Sequence, residues 1–76
     1  MSYLVKETPT ADIYQGIYWE AEIIYSNRHG NRIEYRGANS DRLWNVPGNR
    51  VESTIKRLKE GEDPDVVAQS FPIEFN

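Results

Sequence analysis

The chain has 76 residues, a net charge of −3 and no cysteine, so neither disulfide bonds nor a thiolate zinc site can hold so small a fold together. This length leaves room for a single hydrophobic core, and 38% hydrophobic residues are enough for an ordered domain spanning residues 1–76. No run approaches the roughly 18 apolar residues of a membrane span, and the N-terminus lacks a basic region followed by an apolar stretch, so we expect a cytoplasmic protein with no membrane association.

Residues 1–16 are a loosely specified start. Tyr3, Leu4 and Val5 are compatible with a short strand. The segment Thr8-Pro9-Thr10-Ala11-Asp12 predicts a turn.

Residues 17–26 alternate as in a half-buried strand. One predicted face carries Ile17, Trp19, Ala21, Ile23 and Tyr25, and the other carries Tyr18, Glu20, Glu22, Ile24 and Ser26. A second alternating run covers residues 32–36, with Ile33 and Tyr35 as its apolar pair. The two runs predict an antiparallel β-hairpin.

Turn chemistry predicts the register of this hairpin. A three-residue loop that ends in a left-handed residue favours glycine at its third position, which predicts the loop Arg28-His29-Gly30. In that register Tyr25 faces Ile33, Ile23 faces Tyr35 and Glu22 faces Arg36. A two-residue loop at His29-Gly30 would set Ile23 against Arg36 and bury charge.

The C-terminal half predicts one short strand and two short helices. Leu43-Trp44-Asn45-Val46 is the strand, which Pro47 and Gly48 end. For the first helix the sequence predicts an N-cap at Asn49 with Glu52 at N3, an apolar stripe of Val51, Ile55 and Leu58, and an end at Gly61. For the second helix the sequence predicts an N-cap at Asp63, within the acid-rich start Glu62-Asp63-Asp65, and Pro64 in the first helical position. Val67 and Phe71 should lie on one side of this helix, and Pro72 should end it.

These elements predict an α+β fold: a three- or four-stranded antiparallel β-meander over residues 17–46, followed by helices over residues 49–71. One or two short C-terminal helices are expected to cover one face of the sheet. The first helix should pack on the face made by Trp19, Ile23, Ile33, Tyr35 and Trp44.

Catalytic motifs are missing from the sequence, so we expect no enzyme. His29, the single histidine, lies at the predicted hairpin tip with no acid placed to orient it. One histidine without cysteine offers no chelating pattern, and the glycines are spread one per turn, so no metal, cofactor or phosphate loop is predicted.

Surface recognition remains, and a protein partner is the leading hypothesis. The outer face of the hairpin combines aromatic, aliphatic and arginine side chains of the kind that anchor protein interfaces. The predicted partner-binding residues are Tyr18, Ile24, Arg28, His29, Arg32 and Arg36. The same face also fits a solvated surface with cross-strand charge pairs, and this alternative stays open.

The charge distribution supports a nucleic-acid alternative. Residues 28–60 carry a net charge of +4, and the flanking segments together carry −7. A small DNA-binding regulator could contact phosphates through Arg28, Arg32, Arg36, Lys56, Arg57 and Lys59. The same pattern also fits a set of ordinary solvated charges. A homodimer paired through a sheet edge is a further expectation.

Two segments resemble known families. The stretch from Gly48-Asn49-Arg50-Val51 through Gly61 to Phe71-Pro72 resembles the helical motif of an uncharacterised antitoxin-like bacterial family, which implies a small regulator with a helix-turn-helix-like segment. Trp19-x-Ala21-Glu22-Ile23 with Arg32-Ile33 resembles the DNA-binding domain named after Apetala2. That resemblance implies that Arg28, Arg32 and Arg36 read the major groove.

Overall fold

A computed structural model describes residues 3–71. It contains an antiparallel sheet in the order β1-β2-β3-β4-β5, formed by β1 (Leu4–Glu7), β2 (Ala11–Gln15), β3 (Trp19–Ile24), β4 (Arg32–Gly37) and β5 (Leu43–Asn45). A 3-10 turn, Gly48–Arg50, leads into α1 (Val51–Lys59), and α2 (Pro64–Ala68) follows. The predicted α+β class is confirmed, whereas the predicted count of three or four strands is wrong because the sheet has five.

The additional strand comes from the start of the chain. Thr8 closes the β1–β2 turn, since its Oγ1 accepts hydrogen bonds from the backbone N–H groups of Thr10 and Ala11. The predicted turn therefore ends at Thr10, and Ala11 and Asp12 belong to β2 instead. Asp12 and Tyr14 are buried on the inner face of β2, and a charged residue at an inward position conceals the apolar alternation of that strand.

The core lies between one face of the sheet and the two helices. The predicted stripe of α1 is confirmed, and Val67 and Phe71 are buried with it. The largest fully buried side chains are Tyr35, Ile23, Ile33, Val67 and Pro64. Along the described part of the chain, the opposite face of the sheet carries no helix, as is common in antiparallel sheets with one solvated face.

The β3–β4 hairpin has the predicted faces but a different register. Ile23 pairs with Ile33, Glu20 with Arg36 and Glu22 with Glu34, so the predicted pairs Tyr25–Ile33, Ile23–Tyr35 and Glu22–Arg36 are wrong by two residues. A shift of two keeps every side chain on its face. Tyr25 lies beyond the ladder with β4 and is joined to β2 instead: its N–H donates to the Thr10 carbonyl and its hydroxyl donates to Asp12.

The connection between β3 and β4 is consequently longer than predicted. It spans residues 25–31 rather than only Arg28-His29-Gly30. Ser26 orders it, because its Oγ accepts from the N–H groups of Arg28 and His29. Gly30 has φ of +77°, which confirms the predicted left-handed residue.

The helix ends follow local chemistry in most respects. Gly61, with φ of +95°, follows α1 as predicted. The Asp63 side chain accepts a hydrogen bond from the Asp65 N–H at the start of α2, and Pro64 lies in the first turn, so the predicted N-cap and the predicted position of Pro64 are also confirmed. The predicted cap at Asn49 is wrong, because Asn49 lies inside the 3-10 turn that precedes α1 and no side chain caps either start. The predicted stop at Pro72 lies outside residues 3–71. In that range no helix is long and apolar enough to cross a membrane.

Candidate functional site

The turn between β2 and β3 is held by a carboxylate from the far end of the chain. Asp65, in α2, accepts a hydrogen bond from the Ile17 N–H at 2.8 Å and from the Trp19 N–H at 2.8 Å. The Tyr18 N–H lies between the two carboxylate oxygens at 3.1 and 3.2 Å. Three consecutive backbone donors thus converge on one side chain, so the turn and α2 are joined.

Gly16 makes this close approach possible. A Cβ built at residue 16 would lie 2.5 Å from an Asp65 carboxylate oxygen, closer than real carbon–oxygen contacts. The Gly16 N–H also donates to the Trp19 carbonyl at 2.8 Å, which closes the turn. The absence of a side chain at residue 16 is therefore a geometric requirement of the Asp65 contact.

Two large side chains project from the turn. Ile17 is 79% exposed and Tyr18 is 71% exposed, although residues 17–26 predicted a strand with Ile17 on the same face as Trp19. The predicted strand is wrong for both residues because β3 begins at Trp19, after the three N–H groups have turned toward Asp65. The predicted exposure of Tyr18 is confirmed. Adjacent exposed apolar groups on a backbone fixed by hydrogen bonds are typical of a recognition site.

An open cleft of about 420 Å³ adjoins this turn. Its lining residues are Tyr18, Trp19, Asp65, Ala68, Gln69 and Phe71. Behind it the Trp19 ring meets the rings of Trp44 and Tyr35 edge to face at centroid distances of 4.8 and 6.3 Å, and Tyr35 meets Phe71 at 5.3 Å. We call Ile17, Tyr18 and this cleft the display surface.

Asp65 brings an unneutralised negative charge to the display surface. Its hydrogen-bond donors are neutral backbone groups, and no basic side chain within residues 3–71 forms a salt bridge with it. The three donors make four hydrogen bonds, two on each oxygen, which matches the roughly four acceptor sites of a carboxylate.

A second polar cluster lies at the other end of β3. The Tyr25 hydroxyl donates to the buried Asp12 carboxylate at 2.6 Å, and the Lys59 ammonium lies 5.2 Å from the centre of the Tyr25 ring. Burial, followed by the hydrogen bond to Asp12, raises the pKa of Tyr25. The cluster ties β2, β3 and α1 together, which is a structural role.

The six predicted partner-binding residues do not form one surface. Ile24, Arg32 and Arg36 lie on the outer face of the sheet, and Arg28 and His29 are exposed in the β3–β4 turn. Tyr18 lies in the opposite turn, about 20 Å away from the end of β3 where Ile24 pairs with Arg32. Arg36 is at the Tyr18 end of the sheet, because it pairs with Glu20.

The predicted nucleic-acid-binding residues are divided between two sides of the molecule. Arg32 and Arg36 are on the outer face of the sheet, whereas α1, with Lys56, Arg57 and Lys59, packs on the inner face. Several have acidic partners: Lys56 pairs with Glu60 at 4.0 Å, Arg32 with Glu34 at 3.9 Å, and Arg57 bonds both carboxylate oxygens of Glu62. Hydrogen bonding by Arg57 lowers the pKa of Glu62.

Asp65, Gly16 and Ile17 were not among the predicted site residues. Asp65 was interpreted as part of an acid-rich helix start, and Ile17 as a strand residue on the same face as Trp19. The sequence signal for this site was a glycine, Gly16, followed by the large side chains of Ile17 and Tyr18 at a possible strand start. The partner 48 residues away could not be read from local pattern.

Within residues 3–71, no three His, Cys, Asp or Glu side chains are grouped closely enough to hold a metal ion. Comparison with known proteins finds no matching family model, no matching curated protein and no matching solved structure. The resemblances to an antitoxin-like family and to Apetala2-type domains therefore stay predictions.

Proposed function

We propose that this chain is a small, non-catalytic binding protein that acts as a protein–protein interaction module or inhibitor. Its partner contacts the display surface, with Ile17 and Tyr18 as anchors. The observation that carries the proposal is that these two side chains are 79% and 71% exposed on a backbone that Asp65 holds in place.

Rigidity is what favours a binding role for these residues. A turn whose backbone is already ordered loses little conformational freedom when a partner covers it, so more of the interaction free energy appears as affinity. Three N–H donors on one carboxylate and a glycine that admits the contact order the turn before any partner arrives. Aromatic residues such as Tyr18 are also enriched among the residues that dominate interface energetics.

A protein partner is favoured over nucleic acid by the arrangement of charge. The basic residues proposed for phosphate contact lie on two sides of the sheet, and Lys56, Arg57 and Arg32 have acidic neighbours. A DNA site needs its cations on one face, unpaired, so that they can release counterions from phosphates. A cytoplasmic location stays a prediction.

The proposal is tested by recovering partners from a cell extract with the immobilised chain and quantifying them by mass spectrometry. We expect Ile17→Ala combined with Tyr18→Ala to reduce recovery of the specific partner at least about tenfold, the effect of losing a dominant contact. Val5→Ala is the matched control, because Val5 is 59% exposed but lies in β1.

A third variant separates the two candidate surfaces. Arg32→Glu alters the outer face of the sheet at the end of β3 that is far from Tyr18, where Arg32 pairs with Ile24. Loss of the partner with Arg32→Glu, together with full recovery by the Ile17 and Tyr18 double variant, would move the binding site to the outer face and overturn the assignment to the display surface. Circular dichroism of each variant checks that its fold is retained.

A further inference from the structure

We infer that the cleft of the display surface binds an arginine side chain of the partner. This inference rests on the proposed protein-binding function and specifies the chemistry that the cleft recognises. The guanidinium would lie against the aromatic wall of Tyr18 and Trp19 beside the Asp65 carboxylate.

Charge complementarity is the first argument. Asp65 lines the cleft, is half-buried and has no salt bridge within residues 3–71. A half-buried charge interacts more strongly than a fully solvated one, because the surroundings screen it less. Four hydrogen bonds from the turn match the roughly four acceptor sites of the carboxylate, so the attraction of a guanidinium to Asp65 comes from charge and needs no direct hydrogen bond.

The aromatic wall is the second argument. Three of the lining residues, Tyr18, Trp19 and Phe71, are aromatic. A cation over the face of tryptophan or tyrosine is attracted by the ring quadrupole, and arginine makes this contact more often than lysine because its flat group also stacks. The edge-to-face contacts of Trp19 with Trp44 and Tyr35 restrict the movement of its ring.

Size favours a short segment of a partner over a second copy of this chain. The exposed Ile17 and Tyr18 together with the cleft offer on the order of a few hundred Å². A stable dimer of standard size buries roughly 800 Å² on each partner. One anchoring side chain with a few flanking residues matches the smaller area.

The test uses two peptides that differ only in charge. The ¹⁵N-labelled chain is titrated with acetyl-Gly-Ala-Arg-Ala-Gly-amide and with the same peptide carrying citrulline, a neutral isostere of arginine. We expect the arginine peptide to shift the Trp19 indole signal and the Tyr18 and Trp19 amide signals, with a Kd about tenfold lower than that of the citrulline peptide. The difference should shrink as salt is raised from low to high concentration.

Variants locate the effect. Tyr18→Ala should weaken binding of the arginine peptide, and Val5→Ala should leave it unchanged. Asp65→Asn, which removes the charge, should bring the two Kd values together. The comparison of the arginine and citrulline peptides on the wild-type chain is valid whether or not the Asp65→Asn variant retains the structure of the turn.

Several results would overturn the inference: equal Kd values for the two peptides, peptide-induced shifts confined to the outer face of the sheet, or self-association of the chain through the cleft in the absence of peptide. Equal Kd values together with partner loss in the Ile17 and Tyr18 double variant would reject arginine recognition and leave the proposed function standing. Full partner recovery by that double variant would instead reject the proposed function itself.

Discussion

Asp65 and Gly16 act as one unit at the scale of single residues. The carboxylate accepts three backbone N–H groups, and hydrogen bonds to a charged acceptor contribute more than those between neutral groups. Its approach requires that residue 16 have no side chain. A change at either residue should therefore disturb the same set of contacts.

This coupling leads to a double-mutant prediction. We expect Gly16→Ala to lower the free energy of unfolding by about 1–3 kcal/mol, because the new methyl group displaces the carboxylate from its donors. In an Asp65→Ala background the same change should cost much less, since the contact is already lost. Urea unfolding of the four proteins measures both costs.

Gly48→Ala is the matched control for this cycle. Nothing lies within 4 Å of a Cβ built at Gly48, and its φ is not positive, so no loss of stability is expected. Equal costs of Gly16→Ala in both backgrounds would show that the clash with Asp65 is not what matters at residue 16.

Single-residue features were predictable where their chemistry is local. Gly30 and Gly61 were predicted correctly because a hairpin turn and a helix end each require a left-handed residue. The hydrophobic pattern shows where those strands and helices end. Asp63 was predicted as a cap from the Pro64 beside it. The Asp65 contact was not predictable, because its donors are 46 to 48 residues away in the chain.

At the scale of secondary-structure elements, the β3–β4 hairpin shows what the alternation of apolar and polar residues can predict and what it cannot. Alternation assigned Ile23, Ile33 and Tyr35 to the core face correctly, because side-chain direction has a period of two. The register depended on where the ladder ends: the pairing with β4 stops at Ile24, and the next residue, Tyr25, bonds to Asp12 in β2. Asp12 lay in a segment predicted as a turn, so this contact was not foreseen.

The end of α1 gives the prediction at this scale. Gly61→Ala should lower the free energy of unfolding by about 1–2 kcal/mol, because a Cβ is disfavoured at φ of +95°. Nothing lies within 4 Å of the place that this Cβ would occupy, so the cost comes from the backbone and not from a clash. Thermal unfolding measures it, and a Gly61→Ala protein as stable as the Gly48→Ala control would contradict the explanation.

At the scale of the whole molecule, the fold class followed from the pattern but the number of strands did not. A strand near Tyr3-Leu4-Val5 was anticipated, but β2 was missed because the charged Asp12 occupies an inward position beside Tyr14. A homodimer through a sheet edge stays a prediction. The edges themselves have features that discourage pairing: β1 carries a register shift with the charged Lys6 and Glu7, and β5 has three residues.

Buried tyrosines predict how stability depends on pH. Burial raises the pKa of Tyr14, Tyr25 and Tyr35 above the ordinary value of 10.0. A raised pKa in the folded state favours the neutral phenol, so this contribution is fully present below pH 10 and is lost as the pH rises above it. We expect the melting temperature to fall steeply above pH 10.

Tyr35 should contribute most, since it is fully buried and its hydroxyl donates to the Pro64 carbonyl. Tyr35→Phe should therefore lower stability at neutral pH and flatten the alkaline decline, whereas Tyr18→Phe, at an exposed position, should do neither. A decline in Tyr35→Phe as steep as in the wild-type protein would point to other groups.

The contact between Asp65 and the turn also has a consequence for the timing of synthesis. Ile17 emerges from the ribosome 48 residues before Asp65, which corresponds to roughly 2–10 s of translation. Until α2 is made, the three N–H groups have no acceptor from the protein, and the turn is not yet set. A partner that recognises Ile17 and Tyr18 on a fixed backbone would thus not bind the nascent chain. It would bind after α2 of this chain has packed against the turn.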